Sequence, residues 1–144
     1  MGRNEISIDA PPEAVFELLS EPSAYQRWVP GTRAILDADD TWPEVGSTFR
    51  YVAGLPVARI EDRAKVVSML APVMLELRIR ARPLATAKVQ IHLQPEGHGT
   101  RLTLIEELAS RPLRLLMGPW GHLLVRIRNA EALRRLKALA EARS

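Results

Sequence analysis

Cysteine is absent, which removes disulfides, thiolate nucleophiles and cysteine-held metals from the chemistry open to this chain. Long hydrophobic runs are absent too. The most apolar stretch, 113–127, is interrupted by Arg114, His122 and Arg126, so no integral membrane segment is expected. The N-terminus has no apolar core of signal-peptide type, and Ile6 stands where a myristoylation signal needs Ser or Thr. A cytoplasmic location is the expectation. No G-x-S-x-G elbow, phosphate-binding glycine loop, dinucleotide fingerprint or H-E-x-x-H pair occurs, so none of those chemistries is signalled. His92, His98 and His122 have no ligand-like spacing, and Asp37, Asp39 and Asp40 lack the spaced calcium loop that ends in glutamate. Neither a metal nor a cofactor is expected.

What is present is ordinary for a folded chain: 144 residues, 47% hydrophobic and 26% charged. This length suits one domain, 1–144, able to hide roughly two thirds of its unfolded surface. The net charge of +3 and a pI near 9.8 raise the question of nucleic acid. The basic residues are mostly interleaved with acids and apolar residues, and no recognition motif accompanies them. Arg78, Arg80 and Arg82 on one strand, and Arg126, Arg128, Arg134 and Arg135 on the last helix, read as solvated faces. No nucleic-acid partner is expected.

Periodicity places the elements. A strand over 4–9 is followed by Pro11-Pro12-Glu13, which suits a first helical turn, and by Val15, Leu18 and Leu19 at helical spacing. A second short helix, 23–28, stops at Pro30-Gly31. Strands follow at 32–38, 47–53, 57–70, 73–82, 87–94 and 100–108, most with clear period-two alternation. Such strands form an antiparallel sheet with one covered face. The cover is a helix from Pro112 to the end, on which Leu113, Leu116, Trp120, Leu123, Leu124, Ile127, Ala130 and Leu133 form an inward stripe. Gly118-Pro119 is expected to divide it into a short piece and a main helix. The fold class is therefore α+β, with a curved sheet of about six to seven strands wrapped around a long C-terminal helix.

That order of elements, with Ile8-Asp9-Ala10-Pro11-Pro12-Glu13-Ala14-Val15-Phe16, Tyr25-Gln26-Arg27-Trp28-Val29-Pro30, Val45-Gly46-Ser47, Phe49-Arg50-Tyr51, Ala71-Pro72 and Gly99-Thr100-Arg101-Leu102, resembles the START-like (SRPBCC) superfamily, in particular its polyketide cyclase/dehydrase group. The resemblance spans nearly the whole chain and implies a helix-grip (Bet v 1-like) fold with a cavity between sheet and last helix. Its motifs mark turns and packing positions, so no catalytic residue is carried over.

By strand parity the candidate ligand-binding residues are Phe49, Tyr51, Asp62, Leu77, Ile79, Leu93, Leu104 and Glu106, joined by Trp120 on the helix and Trp28 at the mouth implied by the resemblance. Asp62 and Glu106 stand among apolar inward positions, where an acid is costly unless paired, hydrogen-bonded or solvated by a cavity. Such an acid could move a proton on a ligand. Alternatively, a bulge turns Asp62 outward and Glu106 sits at a wet strand end. Tyr51 could donate to a ligand carbonyl or simply pack; Trp28 lines the mouth or plugs the sheet edge. Three functions follow: a binder or carrier of a small hydrophobic or aromatic molecule, a polyketide cyclase/dehydrase-like enzyme using these acids, or a protein-interaction module with a filled core. In the last, the helix or the Trp42 loop would carry the contact. Oligomeric state is not encoded in any of these patterns.

Overall fold

The computed structural model describes residues 2–54, 59–82, 85–108 and 111–143, without the side chains of 85, 111–119, 121 and 122. Strand β1 (Gly2–Ile8) is followed by helix α1 (Pro12–Leu19), a 3-10 turn (Pro22–Ala24) and helix α2 (Tyr25–Trp28). Strands β2 (Thr32–Ala38), β3 (Thr48–Gly54), β4 (Arg59–Leu70), β5 (Met74–Ala81), β6 (Ala85–Glu96) and β7 (Gly99–Leu108) come next, and helix α3 (Arg111–Arg143) ends the chain. The seven strands form one antiparallel sheet in the order β1-β7-β6-β5-β4-β3-β2.

Pro12 opens α1 and Glu13 lies in its first turn, where the unpaired amides favour negative charge. Consecutive strands from β2 to β7 are neighbours, while β1 reaches across to pair with β7, Ile6 opposite Leu102. The β6–β7 turn depends on glycine twice. Gly97 has φ +60°, and a Cβ on Gly99 would collide with the Ile8 carbonyl oxygen of the strand alongside.

Alternation has the expected consequence. Val66 on β4, Leu75 and Leu77 on β5, Ile91 and Leu93 on β6, and Leu102 and Leu104 on β7 are buried on the covered face. Each such side chain withdrawn from water contributes roughly 1.5–3 kcal/mol. Leu133, Leu136 and Ala140 of α3 and Val15, Leu18 and Leu19 of α1 complete this core.

Helix α3 departs from expectation in two ways. It runs unbroken through Gly118-Pro119 as one 33-residue element instead of dividing there. Its buried stripe also has another phase: Asn129, Ala132, Leu133, Leu136 and Ala140 face in, with Val125 half-buried. Trp120, Leu123, Leu124 and Ile127 are exposed, Trp120 by 71%. The reason lies in the C-terminal half, where apolar residues occupy one face alone. Carried back at 3.6-residue spacing, that face reaches Asn129 and Val125, whereas the stripe read from Trp120 leads forward to Arg134. Polar contacts hold the C-terminal half in place. Lys137 Nζ donates to the Ser7 carbonyl at 2.7 Å, Glu141 Oε2 accepts from the Asp9 amide at 2.8 Å, and Arg143 pairs with Glu21. The inward orientations expected of Leu113 and Leu116 lie outside the described residues.

Candidate functional site

Not all of the covered face is filled. In the row Phe49–Ala64–Ile79–Ala87–Leu108, paired residue by residue across β3 to β7, two of five positions are alanine. Ala53 and Ala81 add two more small side chains nearby. The missing side-chain volume leaves a cavity of about 420 Å³, within the roughly 300–1,000 Å³ of small-molecule sites. Strands β3 to β7 form its floor, Tyr25 and the 29–32 turn close one side, and Leu124, Val125 and Arg128 of α3 close the other.

An aromatic cluster forms the wall at the α2 end. Ring centroids lie 4.9 Å apart for Tyr25 and Phe49, and 4.7 Å apart for Trp42 and Phe49, in tilted geometries that favour such pairs. The Tyr25 hydroxyl and the Trp42 Nε1 both donate to the Leu19 carbonyl, at 2.7 and 3.0 Å. Burial drives the Tyr25 hydroxyl pKa upward, so it stays a neutral donor. Trp42 is therefore buried against α1, neither a lid nor an exposed contact. Trp28 is a buried plug stacked on Tyr25 at 5.0 Å, and it is not on the cavity wall.

The two inward acids have opposite surroundings. Asp62 keeps its inward parity; the β4 bulge lies between Val66 and Ser68, not beside it. Its Oδ1 accepts from the Arg63 amide at 2.9 Å and from Arg82 Nη2 at 3.0 Å. Its Oδ2 accepts from the Arg82 amide at 2.9 Å and from Arg82 Nε at 3.1 Å. Burial pushes this carboxyl pKa up, but Arg82 and the two amides outweigh burial and hold it below 3.8. Asp62 is an ionised clamp between β4 and the end of β5. It does not line the cavity, which corrects its expected place among the cavity residues.

Glu106 does line the cavity, and with 7% exposure it is not at a wet strand end. Its nearest cation is Arg128, Nη1 to Oε1 at 3.9 Å, too long for a hydrogen bond. Burial raises the Glu106 pKa above 4.5, only partly offset by the Arg128 charge and the Asn129 amide. A carboxyl in this state can hold or deliver a proton at its cavity-facing oxygens. Tyr51 also lines the cavity, but its hydroxyl donates to the Arg80 carbonyl, so the expected donation to a ligand carbonyl would require breaking that bond. Burial, with the Asp62 charge second, pushes Tyr51 up to about 12.

Of the candidates read from the sequence, Phe49, Tyr51, Ile79 and Glu106 meet at the cavity. Leu77, Leu93 and Leu104 face the same side but belong to the filled core, with exposures of 3% or less. Trp120 points to solvent, for the reason of helix phase given above. Arg128 and Asn129 were missed. Among the helix arginines Arg128 has the pattern of a solvated face, and an asparagine interrupts an apolar stripe. The signal that could have found them is the helix phase fixed by Leu133, Leu136 and Ala140.

The architecture is the helix-grip arrangement of the START-like superfamily, with the cavity between sheet and last helix. Within it, the chain belongs to the family described as polyketide cyclase / dehydrase and lipid transport, whose profile matches residues 3–141. No curated protein is a significant match to the chain. Among solved structures, protein CV1439 from Chromobacterium violaceum is 20% identical with a TM-score of 0.76, covering 96% of this chain and 95% of its own. The di-domain ARO/CYC StfQ from the steffimycin biosynthetic pathway is 16% identical with a TM-score of 0.77, over 98% of this chain and 50% of that one. Ara h 8.0201 is 9% identical with a TM-score of 0.75, over 97% and 96%. At these identities the likeness carries the fold alone. No described helix is long and apolar enough to cross a membrane, and no metal-ligand cluster occurs among the described residues.

Proposed function

We propose that this protein binds, and serves as a carrier of, a small hydrophobic or aromatic molecule held in the cavity between sheet and α3. The observation that carries this reading is the cavity itself: about 420 Å³, walled by Phe49, Ile79, Ala64, Ala87 and Leu124, with polar groups concentrated at Glu106 and Arg128. Apolar area of that kind supplies affinity, and a few polar groups set orientation. Native mass spectrometry of the freshly purified protein tests it, together with titration of an apolar fluorophore. An adduct lost on denaturation, and fluorophore binding lost in Ala64→Leu with the fold intact, are the expected results. Undiminished binding by Ala64→Leu would sink the reading.

Glu106 favours a second reading, a cyclase- or dehydrase-like enzyme in which this carboxyl is the acid or base. Asp62 is committed to Arg82 and cannot share the task. Unchanged turnover of a carbonyl-rich substrate by Glu106→Gln would exclude this role. The interaction-module alternative supposed a filled core, and the cavity takes away that premise.

A further inference from the structure

The polar end of the cavity has an excess of donors. Arg128 presents a guanidinium that stands 3.9 Å from Glu106 without a hydrogen bond to it. Asn129 is buried behind the wall, its Nδ2 facing Glu106 without a hydrogen bond of normal length. A buried amide left without a full hydrogen bond is costly, so an arrangement that brings an acceptor to it is favoured. Among the described lining residues of β7 and α3, Glu106 and Arg128 are the polar ones, and Tyr51 spends its proton on the Arg80 carbonyl. The shortage is of acceptor oxygens, and specifically of negative ones near Arg128.

We infer that the ligand is a hydrophobic carboxylate whose headgroup sits between Glu106 and Arg128 while its apolar body lies along Ala64, Ile79 and Phe49. This deepens the hydrophobe-binding reading and rests on it. Arg128 pairs with the headgroup, and Glu106 takes part as a protonated acid, donating from one oxygen while the other faces the Asn129 amide. Burial already favours that protonated form, and a ligand carboxylate beside it favours it further. Facing this point are the charged Arg128 from α3 and the neutral Tyr51 hydroxyl from β3. Asp62 is the other acid on the sheet's inner face, and its charge is matched by Arg82. Binding therefore draws a proton onto Glu106 where that group is ionised in the free protein. Affinity must fall as pH rises through the Glu106 pKa, because the ionised Glu106 repels the headgroup.

Isothermal titration calorimetry with decanoate and 1-naphthoate, each against its methyl ester, tests this. The two acids offer a flexible and an aromatic body, and the tighter one tells which the cavity suits. The acid is expected to bind at least about tenfold tighter than its ester, the worth of a charge-assisted bond. Arg128→Gln is expected to bring the acid's affinity down to that of its ester. Glu106→Gln keeps acid binding, abolishes the fall in affinity with pH, and abolishes proton uptake measured in buffers of different ionisation enthalpy. Equal binding of acid and ester, or an acid preference that survives Arg128→Gln, overturns the headgroup assignment but leaves the cavity reading standing. If neither acid nor ester binds, both fall.

Discussion

The covered face of the sheet has two ends built on the same alternation and finished differently. At one end Val66, Leu75, Leu77, Ile91, Leu93, Leu102 and Leu104 meet Leu133 and Leu136 of α3 in a fully buried core. At the other, alanines at 53, 64, 81 and 87 stand where leucines would close the gap, and the helix contributes Leu124, Val125 and Arg128 at a wall. Helix α3 follows the same division. Its C-terminal half is buried and tied to β1 and α1, while Trp120, Leu123, Leu124 and Ile127 remain uncovered. Packing at the filled end holds the fold, and that lets the hollow end keep an incompletely paired amide and a buried acid. The difference comes from side-chain volume at matched positions, not from a change of backbone plan.

Truncation should expose the contrast most strongly. Leu77→Ala at the filled end is expected to cost about 2–5 kcal/mol in denaturant unfolding, since it opens a new void in dense packing. Ile79→Ala, two residues along the same strand but half-buried on an existing cavity, should cost clearly less. Equal losses would erase the distinction. Next comes the clamp: Asp62→Ala should cost about 1–3 kcal/mol by leaving the Arg63 and Arg82 amides without their acceptor. Because the folded pKa of Asp62 is depressed, its contribution is present above the usual 3.8 and disappears as pH falls through the folded value. A stability–pH profile of the alanine variant should lack that acid limb.

Glu106 should act with the opposite sign. Its folded pKa is raised, so the stability tied to its protonated form is complete below 4.5 and is lost as pH climbs through the folded value. Glu106→Gln is therefore expected to flatten that part of the profile and to be at least as stable as the parent at neutral pH. A neutral-pH loss comparable to that of Asp62→Ala would show instead that Glu106 is a structural ion-pair partner. The smallest effect belongs to the uncovered helix half, where Trp120→Ala should lie within about 0.5 kcal/mol of the parent.

Much of this architecture is legible in the sequence because strand parity has a period of two residues and tolerates no drift. Leu75, Leu77, Ile91, Leu93, Leu102 and Leu104 are assigned to the covered face by alternation alone, and Glu106 is placed there with them. Helix phase is less forgiving. Residues 113–127 are apolar on several sides, so two stripes fit equally well until the one-sided half after Asn129 decides between them. Trp120 was misplaced and Arg128 overlooked for that one reason. Asp62 illustrates a different limit. Its parity is visible, but Arg82 reaches it from just beyond the end of β5 across a sequence gap of 20 residues, and local pattern does not reveal such a partner. The hollow is least legible of all, because an alanine in a strand looks the same whether its space is filled by a neighbour or left open.

The pairing of β1 with β7 bears on how the chain comes together as it is made. Among the described strands the first pairs with β7, after residue 99, and the helix half that seals the core over β1 lies later still. A nascent chain can form the β2–β6 meander early from local hairpins, but its apolar face stays uncovered until almost all of the sequence has been synthesised. Contacts this distant in sequence slow folding and lengthen the exposure of aggregation-prone surface. Completion of α3, more than the early meander, is then the step that closes the fold.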